Sequence, residues 1–141
     1  VLGKLTPYLG ALPLPSNIKA MRSFLDAIRT RIEEGSFIMV YPEAHIWPYY
    51  TGIRDFPATS MKYPVELDVP SFALTTTYHR RRFSRKPRTV TYLDGPFYPD
   101  HSLPPRARAQ ALRDEIYKTM VRRSQESNYE YIRYVKKEES T

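Results

Sequence analysis

The segment that decides the predicted fold is a glycine-led apolar run, Gly35-Ser36-Phe37-Ile38-Met39-Val40-Tyr41-Pro42-Glu43. Its apolar centre is short, favours extended backbone and does not alternate with polar residues, which predicts a strand buried on both faces. The preceding residues predict a helix over about 17–34, with Ser16 as N-cap and Gly35 as the stop. Its apolar face consists of Ile18, Met21, Leu25, Ile28 and Ile32. A helix that leads directly into a buried strand is typical of an α/β protein.

Two more strands are predicted further along the chain. Residues 69–78 and 88–93 are rich in β-branched and aromatic side chains, and Asp94-Gly95-Pro96 follows the second segment as a turn that closes it. Residues 58–65 weakly favour a short helix that Pro64 interrupts. With the buried segment before Pro42, these strands predict a mixed, mainly parallel sheet flanked by helices.

A second long helix is predicted over about 105–125, after Pro104-Pro105. Its apolar positions recur at helical spacing and are Ala109, Leu112, Ile116 and Met120. The tail, residues 127–141, either extends this helix or frays.

Composition limits the classes to which the protein can belong. The chain has 141 residues, of which 41% are hydrophobic, and this predicts a single globular domain over residues 1–141. Cysteine is absent, which excludes disulfides, thiolate nucleophiles and Cys-ligated zinc. The three histidines are far apart and none is in a His-x-x-x-His pair, so we expect no metal site. The longest apolar run, Phe37–Tyr41, is too short to cross a bilayer.

Positive charge is concentrated in one segment. The net charge is +7, and residues 79–88 contain six Lys or Arg side chains and no acidic one. Such a field attracts phosphate groups of anionic lipid, of a nucleotide-bearing cofactor or of nucleic acid. Nucleic acid is the least favoured, because no recognition motif is present and only Phe83 lies among the cations. The predicted phosphate or membrane contacts are Arg80, Arg81, Arg82, Arg85 and Lys86; the alternative is a solvated hairpin.

Several blocks, taken in order, resemble the glycerolipid acyltransferase family, which includes the 1-acylglycerol-3-phosphate acyltransferases. The blocks are Leu9-Gly10-Ala11-Leu12-Pro13-Leu14, the first helix, the run from Gly35 to Glu43, Phe56, Val69-Pro70 and Asp94-Gly95-Pro96. The resemblance implies transfer of a fatty acyl group from an acyl-CoA or acyl-carrier-protein thioester to a lysophospholipid or related lipid hydroxyl. It also implies a protein on the cytoplasmic side of a membrane, peripheral or anchored through parts outside this chain, without a cofactor.

The family's catalytic His-x-x-x-x-Asp motif is absent. In the family this motif lies ahead of the block that corresponds to Leu9–Leu14. The residues five positions beyond His45, His79 and His101 are Tyr50, Ser84 and Arg106, and none of them is aspartate. The family's His acts as the general base on the acceptor hydroxyl. We therefore expect this chain to be the C-terminal part of an acyltransferase, N-terminally incomplete, inactive alone and without a catalytic residue of its own.

The substrate block is also altered. Where the family has Phe-Pro-Glu-Gly-Thr-Arg, this chain ends in Glu43-Ala44-His45-Ile46, and an isoleucine cannot bind phosphate as a guanidinium does. Either Arg54 or Lys62 supplies the charge, or the acceptor is not a simple phosphate monoester. The substrate-binding residues implied by the resemblance are Glu43, Ala44, His45, Arg54 and Lys62.

The first block, Leu9-Gly10-Ala11-Leu12-Pro13-Leu14, also departs from the family, because Pro15-Ser16 stands where the family usually has an arginine. We therefore hypothesise either a divergent member whose acceptor differs from lysophosphatidate or a member that has lost activity. The competing interpretation is a non-enzymatic module that binds anionic lipid or phosphate. Trp47, Tyr49 and Tyr50 form either an aromatic set at a membrane interface or part of the core. Glu43 could simply cap the segment after the strand, and His45 could pack against a neighbouring aromatic ring.

Overall fold

A computed structural model describes residues 17–135 of the chain. In chain order its elements are helix α1 (Ile18–Glu33), a 3₁₀-helix (Ala58–Met61), helix α2 (Lys62–Leu67), strands β1 (Ser71–His79) and β2 (Arg88–Phe97), and helix α3 (Pro105–Ser124). The chain divides into two compact units, Val1–Val40 and Tyr41–Thr141, which are described separately. The single-domain organisation stays a prediction.

The predicted mainly parallel sheet is wrong. Within the described residues the sheet has two strands, and β1 pairs with β2 in antiparallel register, with Thr75 opposite Tyr92 and His79 opposite Arg88. The connection between the strands, residues 80–87, is too short for a parallel crossover, which needs a dozen or more residues. A short connection of this kind joins antiparallel strands. The described residues also contain three α-helices.

The predicted buried strand over residues 36–41 is also wrong. This segment is irregular, and most of its apolar side chains face solvent, with Phe37 96% and Tyr41 76% exposed. A strand needs a neighbour that satisfies its main-chain donors and acceptors, and no strand within residues 17–135 pairs with this segment. The β-favouring composition is therefore present without the partner that would make it a strand.

Helix α1 confirms the predicted helix in the first unit, although its N-cap is Asn17. The Asn17 side chain accepts a hydrogen bond from the Ala20 N–H at 2.8 Å, whereas Ser16 lies outside the described residues. Gly35 ends the helix as predicted, because it adopts a φ of +79° and its N–H donates to the Ile32 carbonyl. Glycine adopts this left-handed conformation without a steric penalty.

The core of the second unit lies between α3 and the hairpin. The predicted face of α3 is confirmed as buried, and it packs with side chains of the 3₁₀-helix and both strands. The buried set is Phe56, Met61, Ala73, Phe97, Ala109, Leu112, Ile116 and Met120. Strand β1 alternates, with Ala73, Thr75 and Thr77 buried and Phe72 and Leu74 about half exposed. One face of the hairpin therefore packs on α3 and the other carries exposed apolar side chains.

Two local predictions need correction. Pro64 does not interrupt the short helix, because it lies in the first turn of α2, where the missing N–H has no helical acceptor. Strand β2 continues through Asp94-Gly95-Pro96 to Phe97, with a register shift opposite at Ser71–Ala73. Gly95 has a φ of +130°, and a Cβ atom there would lie 2.9 Å from the Ser71 carbonyl oxygen.

The tail does not extend α3, which ends at Ser124. It packs back on the end of β1, where the N–H groups of Asn128 and Tyr129 both donate to the Tyr78 carbonyl. The Ser127 hydroxyl accepts a hydrogen bond from the Tyr78 N–H at 3.2 Å. Residues 126–135 are therefore fixed by hydrogen bonds although they are not helical, and residues 136–141 lie outside the described part of the chain.

Candidate functional site

Arg54 closes the irregular loop that begins at Pro42. Its main-chain N–H donates to a Glu43 carboxylate oxygen at 2.8 Å, and its guanidinium donates to the Glu43 carbonyl. The guanidinium also donates to the His45 carbonyl at 2.8 Å. Both side chains are largely buried, with 21% of Arg54 and 28% of Glu43 exposed. Residues 43–54 are thus held in one conformation, and we call them the clasped loop.

The turn at the start of the clasped loop is tight. Ala44 adopts the left-handed conformation, with a φ of +61°, and the His45 N–H donates to the Glu43 carbonyl at 2.7 Å. Alanine enters this region only at a steric cost that glycine avoids. The chain therefore has a glycine-type backbone at the position where the resembled family carries glycine.

The structure brings four of the five predicted substrate-binding residues together. Glu43, Ala44, His45 and Arg54 belong to the clasped loop, and the His45 imidazole is exposed while its carbonyl accepts from Arg54. Lys62 is exposed at the first residue of α2, and no hydrogen bond among the described residues joins it to the clasped loop. Of the two cations considered for the missing arginine, Arg54 is the one that lies in the loop.

The aromatic side chains of the clasped loop pack with tyrosines of the tail and of strand β1, and we call this set the aromatic cluster. Trp47 stacks on Tyr134 with ring centroids 4.9 Å apart, and Tyr50 meets both rings edge to face. Tyr49 makes similar contacts with Tyr78 and Tyr131. Trp47, Tyr49 and Tyr50 therefore pack against the tail and strand β1.

Two contacts link this aromatic cluster to its surroundings. The Tyr134 hydroxyl donates to the Pro48 carbonyl at 2.9 Å, and the Arg54 guanidinium lies 4.8 Å from the Trp47 ring centroid. Burial raises the pKa of the Tyr78 phenol, and the neighbouring Tyr49 adds to this effect.

Sequence analysis did not find the role of Tyr131 and Tyr134. The signal that could have indicated it was the recurrence of tyrosine in an otherwise charged tail.

Arg113 anchors the far end of the clasped loop to α3. This side chain is buried, and its Nε donates to the Phe56 carbonyl at 2.7 Å. Its other nitrogens bind Asp114 at 2.9 Å and Asp55, and the guanidinium lies 4.4 Å from the Tyr117 ring centroid. The Asp114 hydrogen bond, with a further contribution from Asp55, raises the pKa of Arg113. The loop therefore ends at a fixed point on the core.

The predicted phosphate or membrane contacts lie together on the connection between β1 and β2. We call residues 80–87 the basic loop; its exposed cations are Arg80, Arg81, Arg82, Arg85 and Lys86. Phe83 is 91% exposed, and the Arg82 guanidinium lies 5.3 Å from its ring centroid. The Arg80 N–H donates to the Asn128 side chain at 3.0 Å. The basic loop thus projects from a base that the tail supports.

Residues 17–135 contain few other side-chain groupings that could bind a ligand or a metal ion. The His101 Nε2 atom lies 3.0 Å from an Asp68 carboxylate oxygen, but both side chains are mostly exposed. No group of three or more His, Asp or Glu side chains in this part of the chain is arranged to hold a metal ion. None of the described helices combines the length and the apolar character needed to cross a bilayer.

Comparisons of the chain with known proteins found no relative. No protein-family model matches the chain, and neither the curated proteins nor the solved structures contain a significant match. The resemblance to glycerolipid acyltransferases thus depends on the order of the blocks in the sequence. Its first block, Leu9–Leu14, lies outside the described residues.

Proposed function

We propose that this chain forms the substrate-binding part of an acyltransferase that acts at a membrane surface. The reaction moves a fatty acyl group from an acyl-CoA or acyl-carrier-protein thioester to the hydroxyl of a lysophospholipid or related lipid. The clasped loop is the proposed binding element, and the single observation that carries the proposal is the position of Arg54 within it.

Arg54 supports the proposal because it brings a guanidinium to the block where the family has an arginine and this chain has Ile46. Its Nη2 atom is engaged by the carbonyls of Glu43 and His45, whereas Nη1 has no hydrogen-bond partner among the described residues. A guanidinium that is already held through Nη2 can bind an anionic headgroup through Nη1 with little loss of side-chain freedom.

The backbone at Ala44 gives independent support. The family has glycine at this position, and the φ of +61° found here is one that glycine adopts most readily. Alanine at this position thus has the backbone conformation that a glycine in the family's block would adopt without strain. The turn fixes the carbonyls of Glu43 and His45 on the side that Arg54 occupies.

The proposed acyl transfer requires two functions, binding of the substrates and removal of a proton from the acceptor hydroxyl. The acceptor hydroxyl attacks the thioester carbonyl, the thiol leaves, and a base removes the hydroxyl proton. No residue of this sequence is in the family's His-x-x-x-x-Asp arrangement. We therefore assign binding and orientation to the clasped loop and no general base to this chain.

An acyl-transfer assay on the complete natural protein that contains this chain tests the proposal. Labelled acyl-CoA and acyl carrier protein serve as donors, and lysophosphatidate and neutral lysolipids serve as acceptors. We expect Arg54→Ala to lower kcat/KM by roughly 10- to 100-fold, the effect of losing one charged hydrogen bond in a bound complex. Arg106→Ala, which removes an exposed cation from α3, is the matched control and should retain activity.

Two results would overturn the proposal. One is the absence of acyl transfer to every lipid hydroxyl from either donor. The other is an Arg54→Ala protein that is folded by circular dichroism and as active as Arg106→Ala. Brisk turnover of lysophosphatidate would instead overturn the narrower hypothesis that the acceptor has diverged.

A further inference from the structure

We propose that the basic loop docks the protein on an anionic phospholipid surface, with Phe83 inserted between the headgroups. This inference does not depend on acyl transfer, because it concerns a separate part of the second unit and a separate ligand. It assigns a membrane contact to residues 80–87, at the end of the hairpin.

The charge of the loop is not neutralised within the described residues. Residues 80–87 contain five cations and no acid, and none of the five forms an ion pair with any residue of 17–135. Three arginines of the second unit behave differently, since Arg54, Arg113 and Arg123 all pair with carboxylates. An exposed cluster of unpaired cations is attracted to a surface of anionic headgroups, and each cation near that surface strengthens binding.

Phe83 distinguishes a bilayer from other anionic partners. Its ring is 91% exposed and contacts the Arg82 guanidinium. A single apolar side chain surrounded by cations combines the two signals of interfacial binding, apolar insertion and attraction to headgroups. Proteins that bind single-stranded nucleic acid present several aromatic rings along a groove, whereas the basic loop contributes one ring.

The base of the loop is ordered before any ligand binds. Asn128 accepts a hydrogen bond from the Arg80 N–H at 3.0 Å, and the Arg80 guanidinium lies 5.0 Å from the Tyr129 ring centroid. At the other end, Arg88 pairs with His79 in the sheet, and Pro87 is buried. A loop whose base is already held loses less conformational freedom on docking than a loop that must first order its base.

Vesicle co-sedimentation tests the inference directly. The full chain is mixed with vesicles of phosphatidylcholine alone or of phosphatidylcholine with phosphatidylglycerol, and binding is measured with increasing salt. We expect binding only to the anionic vesicles and weakening as salt rises. Replacing Arg81, Arg82 and Arg85 by alanine should weaken it roughly 100-fold. Phe83→Ala should weaken it roughly tenfold.

A matched variant separates the loop from net charge. Arg22→Ala, Arg106→Ala and Lys118→Ala together remove the same three charges from exposed positions on helices. We expect this triple variant to bind anionic vesicles with less than a threefold loss. Equal losses in the two triple variants would overturn the inference, because the attraction would then follow total charge.

Insertion of the ring has its own readout. Phe83→Trp should give fluorescence that brominated lipids in anionic vesicles quench more strongly than they quench the wild type. Quenching equal to that of the wild type would contradict insertion. Tighter binding to a single-stranded oligonucleotide than to anionic vesicles, or full displacement from vesicles by millimolar inorganic phosphate, would also overturn the inference. Acyl transfer can fail while vesicle binding persists, so the two proposals are tested separately.

Discussion

Arg54 and Glu43, 11 positions apart in the sequence, are joined through both main chain and side chain. The Arg54 N–H reaches the Glu43 carboxylate at 2.8 Å, and the Arg54 guanidinium reaches the Glu43 carbonyl. Glu43 thus accepts hydrogen bonds from both the main chain and the side chain of Arg54. The conformation of the clasped loop therefore depends on this pair more than on any regular secondary structure.

Loss of the Arg54 side chain should open the loop. We expect Arg54→Ala to lower the free energy of unfolding by about 2 kcal/mol, because the carbonyls of Glu43 and His45 lose a charged donor. Arg54→Lys should lose about half as much, since one ammonium replaces only part of the fork. Urea unfolding measures both changes, with Arg106→Ala as the control. An Arg54→Ala protein as stable as that control would contradict the assignment.

Glycine at position 44 should stabilise the protein. Ala44 has a φ of +61°, so Ala44→Gly relieves a steric penalty, while the greater freedom of the unfolded glycine chain offsets part of the gain. We expect a net increase of about 0.5 kcal/mol in the free energy of unfolding. Ala107→Gly, in the first turns of α3, should have the opposite sign. Destabilisation by both substitutions would show that the turn at Ala44 does not carry the strain inferred here.

The contact between Trp47 and Tyr134 provides a spectroscopic test of the tail. Trp47 is the only tryptophan in the sequence, and its ring stacks on Tyr134. Tyr134→Ala should therefore shift the fluorescence emission to longer wavelength and lower the free energy of unfolding by about 1 kcal/mol. Tyr134→Phe keeps the ring and loses only the hydrogen bond to Pro48, so its emission should stay near that of the wild type. Unchanged emission in Tyr134→Ala would mean that the tail does not cover Trp47.

Stability should fall in acid through the pair of Asp94 and Arg123. The Arg123 side chain donates three hydrogen-bond contacts of 2.8 to 3.1 Å to the Asp94 carboxylate, and this lowers the pKa of Asp94. The ionised carboxylate therefore favours the folded state. That contribution is complete above the unfolded pKa, about 4, and is lost as the pH falls through the lower pKa of the folded protein.

Urea unfolding at neutral pH and below about pH 4 measures this contribution. Asp94→Asn should be less stable than the wild type at neutral pH, and the difference should shrink in acid. Asp100 and Asp114 also have lowered pKa values, but they remain in both proteins and do not affect the comparison. Asp26→Asn, in an exposed position on α1, is the control for loss of one negative charge. A constant difference across the pH range would exclude the pair as its source.

Local sequence patterns predicted the helices and strands, whereas the arrangement of the sheet depends on which strands pair. Helices α1 and α3 and the two strands follow from apolar periodicity and β-branched composition within each segment. The segment 36–41 has the same strand-type composition but no pairing partner in the described part of the chain. Composition records which side chains favour a strand, whereas a sheet also needs a second chain segment at hydrogen-bonding distance.

The candidate site was predictable in part for the same reason. The resemblance indicated Glu43 directly, and it indicated Arg54 or Lys62 as the cation in place of the family's arginine. It did not indicate that the tail would cover the loop, since Tyr134 is 86 positions from its acceptor Pro48. Contacts of such separation have no local signature. The position of Asn128 beneath the basic loop is a further example.

Two neighbouring threonines on the buried face of β1 should respond in opposite directions to the same substitution. The Thr75 hydroxyl is buried and has no hydrogen-bond partner among the described residues. The Thr77 hydroxyl donates to the Val90 carbonyl at 3.2 Å and lies 2.8 Å from the His79 Nε2 atom. Valine has the same shape as threonine and removes only the hydroxyl.

Thr75→Val should therefore raise the free energy of unfolding by about 1 kcal/mol, because it removes a buried polar atom without a partner. Thr77→Val should lower it by about 1 kcal/mol, because the His79 ring and the Val90 carbonyl each lose a partner. Chemical unfolding of the two variants beside the wild type gives both values. A loss of stability in Thr75→Val equal to that in Thr77→Val would mean that the Thr75 hydroxyl has a partner in solution.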